Sequence, residues 1–159
     1  MHDRQEKNRA HRASELIRCG RAIHSLLDQI DHEMEESLGI NSSDLRCLNQ
    51  LEDHPLTPTE LGRSLGLTSG SVTALIDRLS SRGLVKREQS STDRRSSIVQ
   101  MEAHAFAHLG SRYRLVAESL AEEFGELSDE EHEVAIGHLE VLIRAFERGL
   151  ARVRQFESA

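Results

Sequence analysis

The chain has 159 residues, of which 37% are hydrophobic and 30% charged, enough for one compact domain or for a small domain with helical extensions. One Tyr, four Phe and no Trp argue against an aromatic platform for single-stranded nucleic acid and against an aromatic-lined catalytic cleft. The net charge of −7 opposes phosphate binding by the chain as a whole.

The charge is unevenly distributed along the chain. Residues 55–101 contain seven Lys or Arg and four Asp or Glu, a net charge of +3, so the other residues together carry −10. Because the local field rather than the total charge decides which surface can meet a polyanion, the middle of the chain is a candidate for binding nucleic acid.

Neither a secretory signal nor a membrane span is indicated. The N-terminus is charged from its second residue, and no apolar run approaches the roughly 18 residues of a spanning helix. Cys19 and Cys47 lie in predicted helices without CxxC spacing, as expected for reduced thiols. We therefore predict a cytoplasmic protein with no membrane partner.

Two helices are predicted before the basic segment. Apolar residues at steps of three and four indicate an amphipathic helix from about Arg12 to Leu38, ended by Gly39. A second helix is capped by one of residues 41–43 and runs to about Asp53, because His54 precedes a proline and is pushed out of the helical region.

Two shorter helices follow. Thr57 is a good N-cap, Pro58 suits the first helical position, and Glu60 completes a capping box, so a short helix begins here and breaks at Gly66. Residues 67–71 open a fourth helix, which stops at Gly83. Its inward positions are Val72, Leu75, Ile76 and Leu79.

The pattern changes after Gly83. Residues 84–88 and 97–101 are short and strand-like, and residues 89–96 between them are polar, which predicts a hairpin with a charged tip. Two helices complete the chain, one carrying the apolar stripe of residues 106–124 and one beginning after Ser128, its expected N-cap.

This order of short helix, tight turn, second helix and hairpin is typical of a winged helix-turn-helix, in which the second helix enters the major groove. Gly70 would allow close backbone approach, and Arg94 and Arg95 at the hairpin tip would lie beside the minor groove. The candidate major-groove residues, mostly small and hydrogen-bonding, are Thr68, Ser69, Gly70, Ser71 and Thr73.

The segment LTPTELGRSLGLTSGSVTALIDRLSSRGLVKREQSSTDRRSSIVQM, 46 of the 159 residues, resembles the DNA-reading part of the multiple antibiotic resistance regulator (MarR) family. The matching elements are the LxxxLGL turn, the SVTxLIDRLxxxGLVxR helix with its exit, and the DRR wing. The resemblance implies that Asp93 orients Arg95 in the minor groove and that Arg94 holds phosphate or the groove edge. Ala74 stands where many relatives carry arginine, which shifts specificity towards shape readout by the wing.

The resulting prediction is a mainly α protein with a winged helix-turn-helix head, a two-stranded β-wing and a helical dimerisation stem. Residues 1–40 and 103–159 are assigned to the stem, and residues 41–102 to the DNA-binding region. A homodimer would present two heads to a pseudo-palindromic operator in double-stranded DNA. The resemblance implies a transcriptional repressor released by a small-molecule effector, and the sequence indicates no cofactor.

Several alternatives remain open at this point. The regulator could be effector-independent, or redox-responsive through Cys19, whose thiolate Arg18 and Arg21 would favour. A helical interaction module is a third reading. An enzyme would need a nucleophile with its base, a phosphate loop or a metal triad, and the sequence offers none, so we predict no catalytic residues.

Three side-chain features have plain structural interpretations beside functional ones. Arg78 is a candidate phosphate contact or a structural pair with its neighbour Asp77. Cys47 is interpreted as a small core residue. His104 and His108 have the i, i+4 spacing of zinc ligands, but no further ligand motif accompanies them, so no metal site is predicted.

Overall fold

The computed structural model describes residues 2–89 and 97–156, which form six helices and a two-stranded antiparallel sheet. The predicted class, mainly α with a small β-wing, is confirmed. None of the helices in these ranges is both long and apolar enough to cross a membrane. In chain order the elements are α1 (His2–Leu38), α2 (Ser42–Gln50), α3 (Pro58–Leu65), α4 (Ser69–Ser81), β1 (Val85–Gln89), β2 (Ser97–Met101), α5 (Ala103–Phe124) and α6 (Asp129–Phe156).

These elements divide into two compact units. The central unit comprises residues 23–115, and the terminal unit comprises residues 1–22 and 116–159. The central unit contains a continuous hydrophobic core, to which α1, α2, α3, α4, both strands and α5 all contribute buried side chains. Its most deeply buried apolar residues are Met34, Leu45, Leu48, Leu61, Val72, Ile76, Leu79 and Val99.

Helix starts follow the capping signals in the sequence. The Thr57 hydroxyl accepts the Glu60 N–H, while Glu60 accepts the Thr57 N–H at 2.8 Å, which is the predicted capping box of α3. Ser128 and Glu131 make the same reciprocal pair at the start of α6, which confirms Ser128 as its cap. Asn41 is the residue that caps α2.

Two helix boundaries differ from the prediction. α1 begins at His2 rather than near Arg12, because residues without an apolar stripe can still be helical when they are strong helix formers such as Arg, Glu, Lys and Gln. α2 ends at Gln50, three residues before the predicted end. Beyond Gln50 the chain is no longer helical. Leu51 is buried, and Leu56 pairs with the sheet in an extended conformation.

The sheet is an antiparallel hairpin in which Val85 lies opposite Met101 and Gln89 opposite Ser97. Leu56 adds an isolated bridge to the outer side of β2: its N–H donates to the Val99 carbonyl at 3.0 Å and its carbonyl accepts the Val99 N–H at 2.7 Å. No sequence pattern predicts this bridge, which attaches the hairpin to the segment before α3.

The terminal unit is built differently, because α6 has no buried residue. Here α1 and α6 approach closely at Gly20, where an added Cβ would lie 2.7 Å from Cζ of Phe146. A largely apolar cavity of about 550 Å³ lies between the two helices, lined by residues that include Leu16, Leu142 and Leu150. The apolar side chains of α6 therefore remain partly exposed to solvent within this unit.

Candidate nucleic-acid interface

Two glycines set the tight turn between α3 and α4. Gly66 ends α3 with φ +69°, a left-handed conformation that side chains other than glycine rarely adopt. A Cβ at Gly62 would lie 3.2 Å from Cγ2 of Val72 and 3.3 Å from the Leu67 carbonyl oxygen, so glycine there lets the helices pack closely. The predicted helix-turn-helix geometry thus follows from local backbone requirements.

The inner face of α4 is apolar and fixed in the core. Val72, Leu75, Ile76 and Leu79 are all buried, as the sequence predicted. The opposite face is consequently turned to solvent over the whole length of the helix.

All five candidate major-groove residues lie on the exposed N-terminal part of α4. Thr68 is the N-cap: its hydroxyl oxygen accepts the Ser71 N–H at 3.3 Å and lies 2.9 Å from the Ser71 hydroxyl. The Thr73 hydroxyl donates to the Ser69 carbonyl at 3.0 Å. The first turn contains no acidic residue, so the positive end of the helix dipole is not neutralised locally.

Gly70 is required neither by backbone conformation nor by packing. Apart from its chain neighbours and the backbone of its own helix, no heavy atom of the described residues lies within 4 Å of a Cβ built there, and its φ is not positive. Gly62 is required by close packing and Gly66 by its positive φ, whereas Gly70 has neither requirement and leaves open space on the outer surface of α4.

Arg78 and Asp77 do not pair with each other. Arg78 holds the buried Asp44 on α2, with Nη2 2.5 Å from Oδ1 and Nε 3.1 Å from both carboxylate oxygens. These hydrogen bonds raise the pKa of the guanidinium, which stays charged. Asp77 instead accepts from Nη2 of Arg87 on β1 at 3.0 Å. Sequence reasoning missed both partners, since neither lies within one helical turn.

The hairpin continues the exposed face of α4. The Asp77–Arg87 ion pair links α4 to β1, while Nζ of Lys86 pairs with Oε1 of Glu88 at 2.6 Å. Asp93, Arg94 and Arg95, the predicted wing residues, fall between the strands and lie outside the described residues.

The two cysteines have opposite environments. Cys47 is fully buried in the central core, as predicted, and burial together with the nearby Asp44 raises its pKa from 9.0 to about 12. Its thiol is therefore not ionised near neutral pH. Cys19 is exposed on α1 in the terminal unit.

The histidine pair shows no further metal ligands. His104 is exposed, whereas Nε2 of His108 lies 3.0 Å from the Ser37 hydroxyl and 3.2 Å from Nε of Arg112. Within the described ranges, no group of three or more His, Cys, Asp or Glu side chains is placed to hold a metal ion.

Comparison with known proteins places this geometry in a family. Residues 38–96 match the model of the MarR family. The chain is 34% identical to YcgE, an uncharacterized HTH-type transcriptional regulator of Bacillus subtilis, over 121 residues that cover 76% of this chain and 79% of YcgE.

Two solved structures share the fold. A MarR family protein from Bacillus stearothermophilus matches with a TM-score of 0.66 and 24% identity, covering 85% of this chain and 95% of that protein. The structure of a complex of S. aureus MepR with DNA matches with a TM-score of 0.59 and 20% identity, covering 79% and 96%. With the helix-turn-helix, the hairpin and the identity to YcgE together, the chain belongs to the MarR family of helix-turn-helix transcriptional regulators.

Proposed function

We propose that the protein is a homodimeric transcriptional regulator that binds a pseudo-palindromic operator in double-stranded DNA, and that it is not an enzyme. The observation that carries the proposal is the exposed N-terminal face of α4, which has hydroxyl side chains, no acidic residue and an unfilled space at Gly70. Such a surface suits a helix that enters the major groove with its first turn against the bases. YcgE, the relative with 34% identity, is described as an HTH-type transcriptional regulator.

The residues of α4 have distinct proposed roles. Ser69, Ser71 and Thr73 offer hydrogen bonds to base edges, Thr68 positions the first turn, and Gly70 allows the sugar-phosphate backbone to approach. While the Thr73 hydroxyl donates to the Ser69 carbonyl, its oxygen can still accept a hydrogen bond from a base; donation to a base would require that bond to be exchanged or shared.

The wing completes the proposed contact. Arg95 would enter the minor groove with Asp93 orienting it, and Arg94 would bind phosphate. The Asp77–Arg87 pair supports this role, because it ties the first wing strand to the helix in the major groove.

Residues 1–40 and 103–159 would form the dimerisation stem and residues 41–102 the reading region. Two heads related by a two-fold axis would meet half-sites about one helical turn, ~10 bp, apart. Repression would end when a small molecule binds more tightly to a dimer whose head spacing does not fit the operator. Such a regulator would act where the bacterial chromosome lies, in the cytoplasm.

Selection of bound sequences from a random duplex pool tests the proposal directly. We expect a two-fold symmetric consensus from the wild-type protein. Thr73→Ala should alter the preferred bases more than it alters affinity for random duplex. Ser111→Ala is the matched control, because it removes another exposed helical hydroxyl that donates to its own helix, on α5. An unchanged consensus in Thr73→Ala would contradict direct readout by this residue.

The wing has its own test. Arg95→Ala should weaken operator binding by about 1–3 kcal/mol in a mobility-shift titration at fixed salt, with helix content and oligomeric state unchanged. Asp93→Ala should act in the same direction but less strongly, since it removes only the orienting partner. Wild-type affinity in Arg95→Ala would exclude the wing from the contact.

A further inference from the structure

Two arginines, Arg78 on α4 and Arg82 at its C-cap, reach the same short segment of the central unit. Arg78 and Arg82 are four residues apart, so they lie one turn apart on the same side of the helix. Both contact residues 38–44, the corner in which α1 ends and α2 begins.

The Arg78 contact is a two-pronged ion pair with a buried carboxylate. Asp44 is 1% exposed, and its Oδ2 also accepts the Asn41 N–H at 3.4 Å, within the capping box of α2. The carboxylate is thus fixed by its own helix start, and a planar guanidinium that binds two of its oxygens is fixed in orientation as well as distance.

The Arg82 contact closes the end of α1. Its Nη1 donates to the carbonyl oxygens of Gly39 and of Leu38, the latter at 3.4 Å. Carbonyls at a helix C-terminus lack partners within the helix and attract cations. Gly39 adopts φ +62°, which turns the chain between the two helices at this point.

We propose that Arg78 and Arg82 are positioning residues that hold α4 against the corner of residues 38–44 and thereby set the angle at which its N-terminal face meets DNA. The inference rests on the proposed DNA binding. It gives Arg78 a different role from the phosphate contact suggested by the sequence, because two of its donor nitrogens are occupied by Asp44. Apolar packing alone is non-directional, whereas these hydrogen bonds specify one orientation of α4.

The salt dependence of binding separates a positioning role from a phosphate contact. Each phosphate contact contributes about 0.9 to the slope of log affinity against log salt. We expect Asp44→Asn and Arg78→Gln each to lower affinity for the selected operator about tenfold or more, the equivalent of one base contact, at unchanged slope. Affinity for random duplex should stay at the wild-type value, and the double variant should lose no more than either single variant.

Arg82→Gln is the milder variant, because Arg82 is exposed and its loss leaves no buried charge. We expect a smaller loss of operator affinity, also at unchanged slope. Arg144→Gln on α6 controls for the removal of one exposed arginine and should behave as wild type. Melting curves establish that each variant is folded at the temperature of the binding measurement.

If Asp44→Asn does not fold, Asp44→Leu combined with Arg78→Met replaces the buried pair by apolar groups, a change that folded proteins often tolerate. This double variant should be folded and still lose operator affinity. The inference would be overturned if this double variant bound the operator with wild-type affinity. It would also be overturned if Arg78→Gln reduced the magnitude of the salt slope by about 0.9 while Asp44→Asn had no effect. Both results presuppose operator binding by the wild type; a wild-type protein that binds no duplex would overturn the proposed function itself.

Discussion

The central and terminal units differ in how they use apolar residues. In the central unit, side chains from seven elements bury one another, and Leu79 and Val99 are 0% exposed. In the terminal unit, α6 has no buried residue, and Ile143, for example, is 57% exposed. Soluble proteins rarely leave such large continuous apolar surfaces open to water.

The two units therefore differ in what covers their apolar side chains. The central unit has a buried core of its own, although Leu26, Leu27 and Phe106 at its helical edges are at least half exposed. The terminal unit has helical stripes without a core of their own, and a second copy of the chain would cover them. For the proposed dimer, we therefore expect the stability of the terminal helices, but not that of the central core, to depend on protein concentration.

The largest effect should come from a charge in the terminal stripe. Ile143→Asp puts a carboxylate at a position that is exposed in the single chain and buried in the proposed dimer. Burying this charge should cost several kcal/mol of the free energy of dimerisation. We expect a monomer by light scattering at micromolar concentration and loss of operator binding. His138→Asp, on another face of α6, should remain dimeric. A dimeric Ile143→Asp variant would mean that a second copy does not cover this stripe.

One large-to-small substitution in each unit should distinguish stability that is independent of protein concentration from stability that depends on it. Leu79→Ala, in the central core, should lower the free energy of unfolding by about 2–5 kcal/mol at any protein concentration. Leu139→Ala, on α6, should lower the melting temperature by an amount that depends on concentration. Thermal melts over a hundredfold concentration range, ~1 to ~100 μM, provide the measurement. Equal concentration dependence in wild type and both variants would contradict the contrast between the units.

The reactivity of the two cysteines tests the same contrast between the buried central core and the exposed terminal helices. The exposed Cys19 should react with a thiol reagent in the native protein, whereas Cys47 should react only after unfolding, because burial raises its pKa to about 12. One reactive thiol per native chain and two per unfolded chain are expected, and Cys19→Ser should abolish the native reaction. Rapid native labelling of Cys47 would show that the central core opens readily.

The smallest effect concerns two matching capping boxes, one in each unit. Hydrogen bonds from Thr57 lower the pKa of Glu60, and hydrogen bonds from Ser128 lower the pKa of Glu131. A lowered pKa in the folded state means that the contribution to stability is complete above the ordinary value of 4.5 and is lost as the pH falls through the folded value.

Melting temperatures measured from about pH 6 to about pH 3 test this small contribution. Glu60→Gln and Glu131→Gln keep the capping geometry but remove the titrating group, so each should fall less steeply with pH than wild type. Glu122→Gln, inside α5, is the control. Identical pH profiles for wild type and both capping variants would contradict the assigned pKa directions.

The sequence predicted the elements whose cause is local. The capping box at Thr57, the cap at Ser128, the turn at Gly66 and the buried face of α4 depend only on residue types within one or two turns of chain. The family resemblance came from the same ordered segment, 56–101, and the comparison with known proteins confirmed it.

Tertiary structure decided which distant side chains meet. Asp44 and Arg78 are 34 positions apart, and no periodicity or spacing rule couples them; the same holds for Leu56, which bridges to Val99. Such pairs form because packing of the apolar faces brings their backbones together, and buried polar groups must then find a partner. Local sequence therefore determined the helices and their turns, while core packing decided how α4 is held and where its exposed face points.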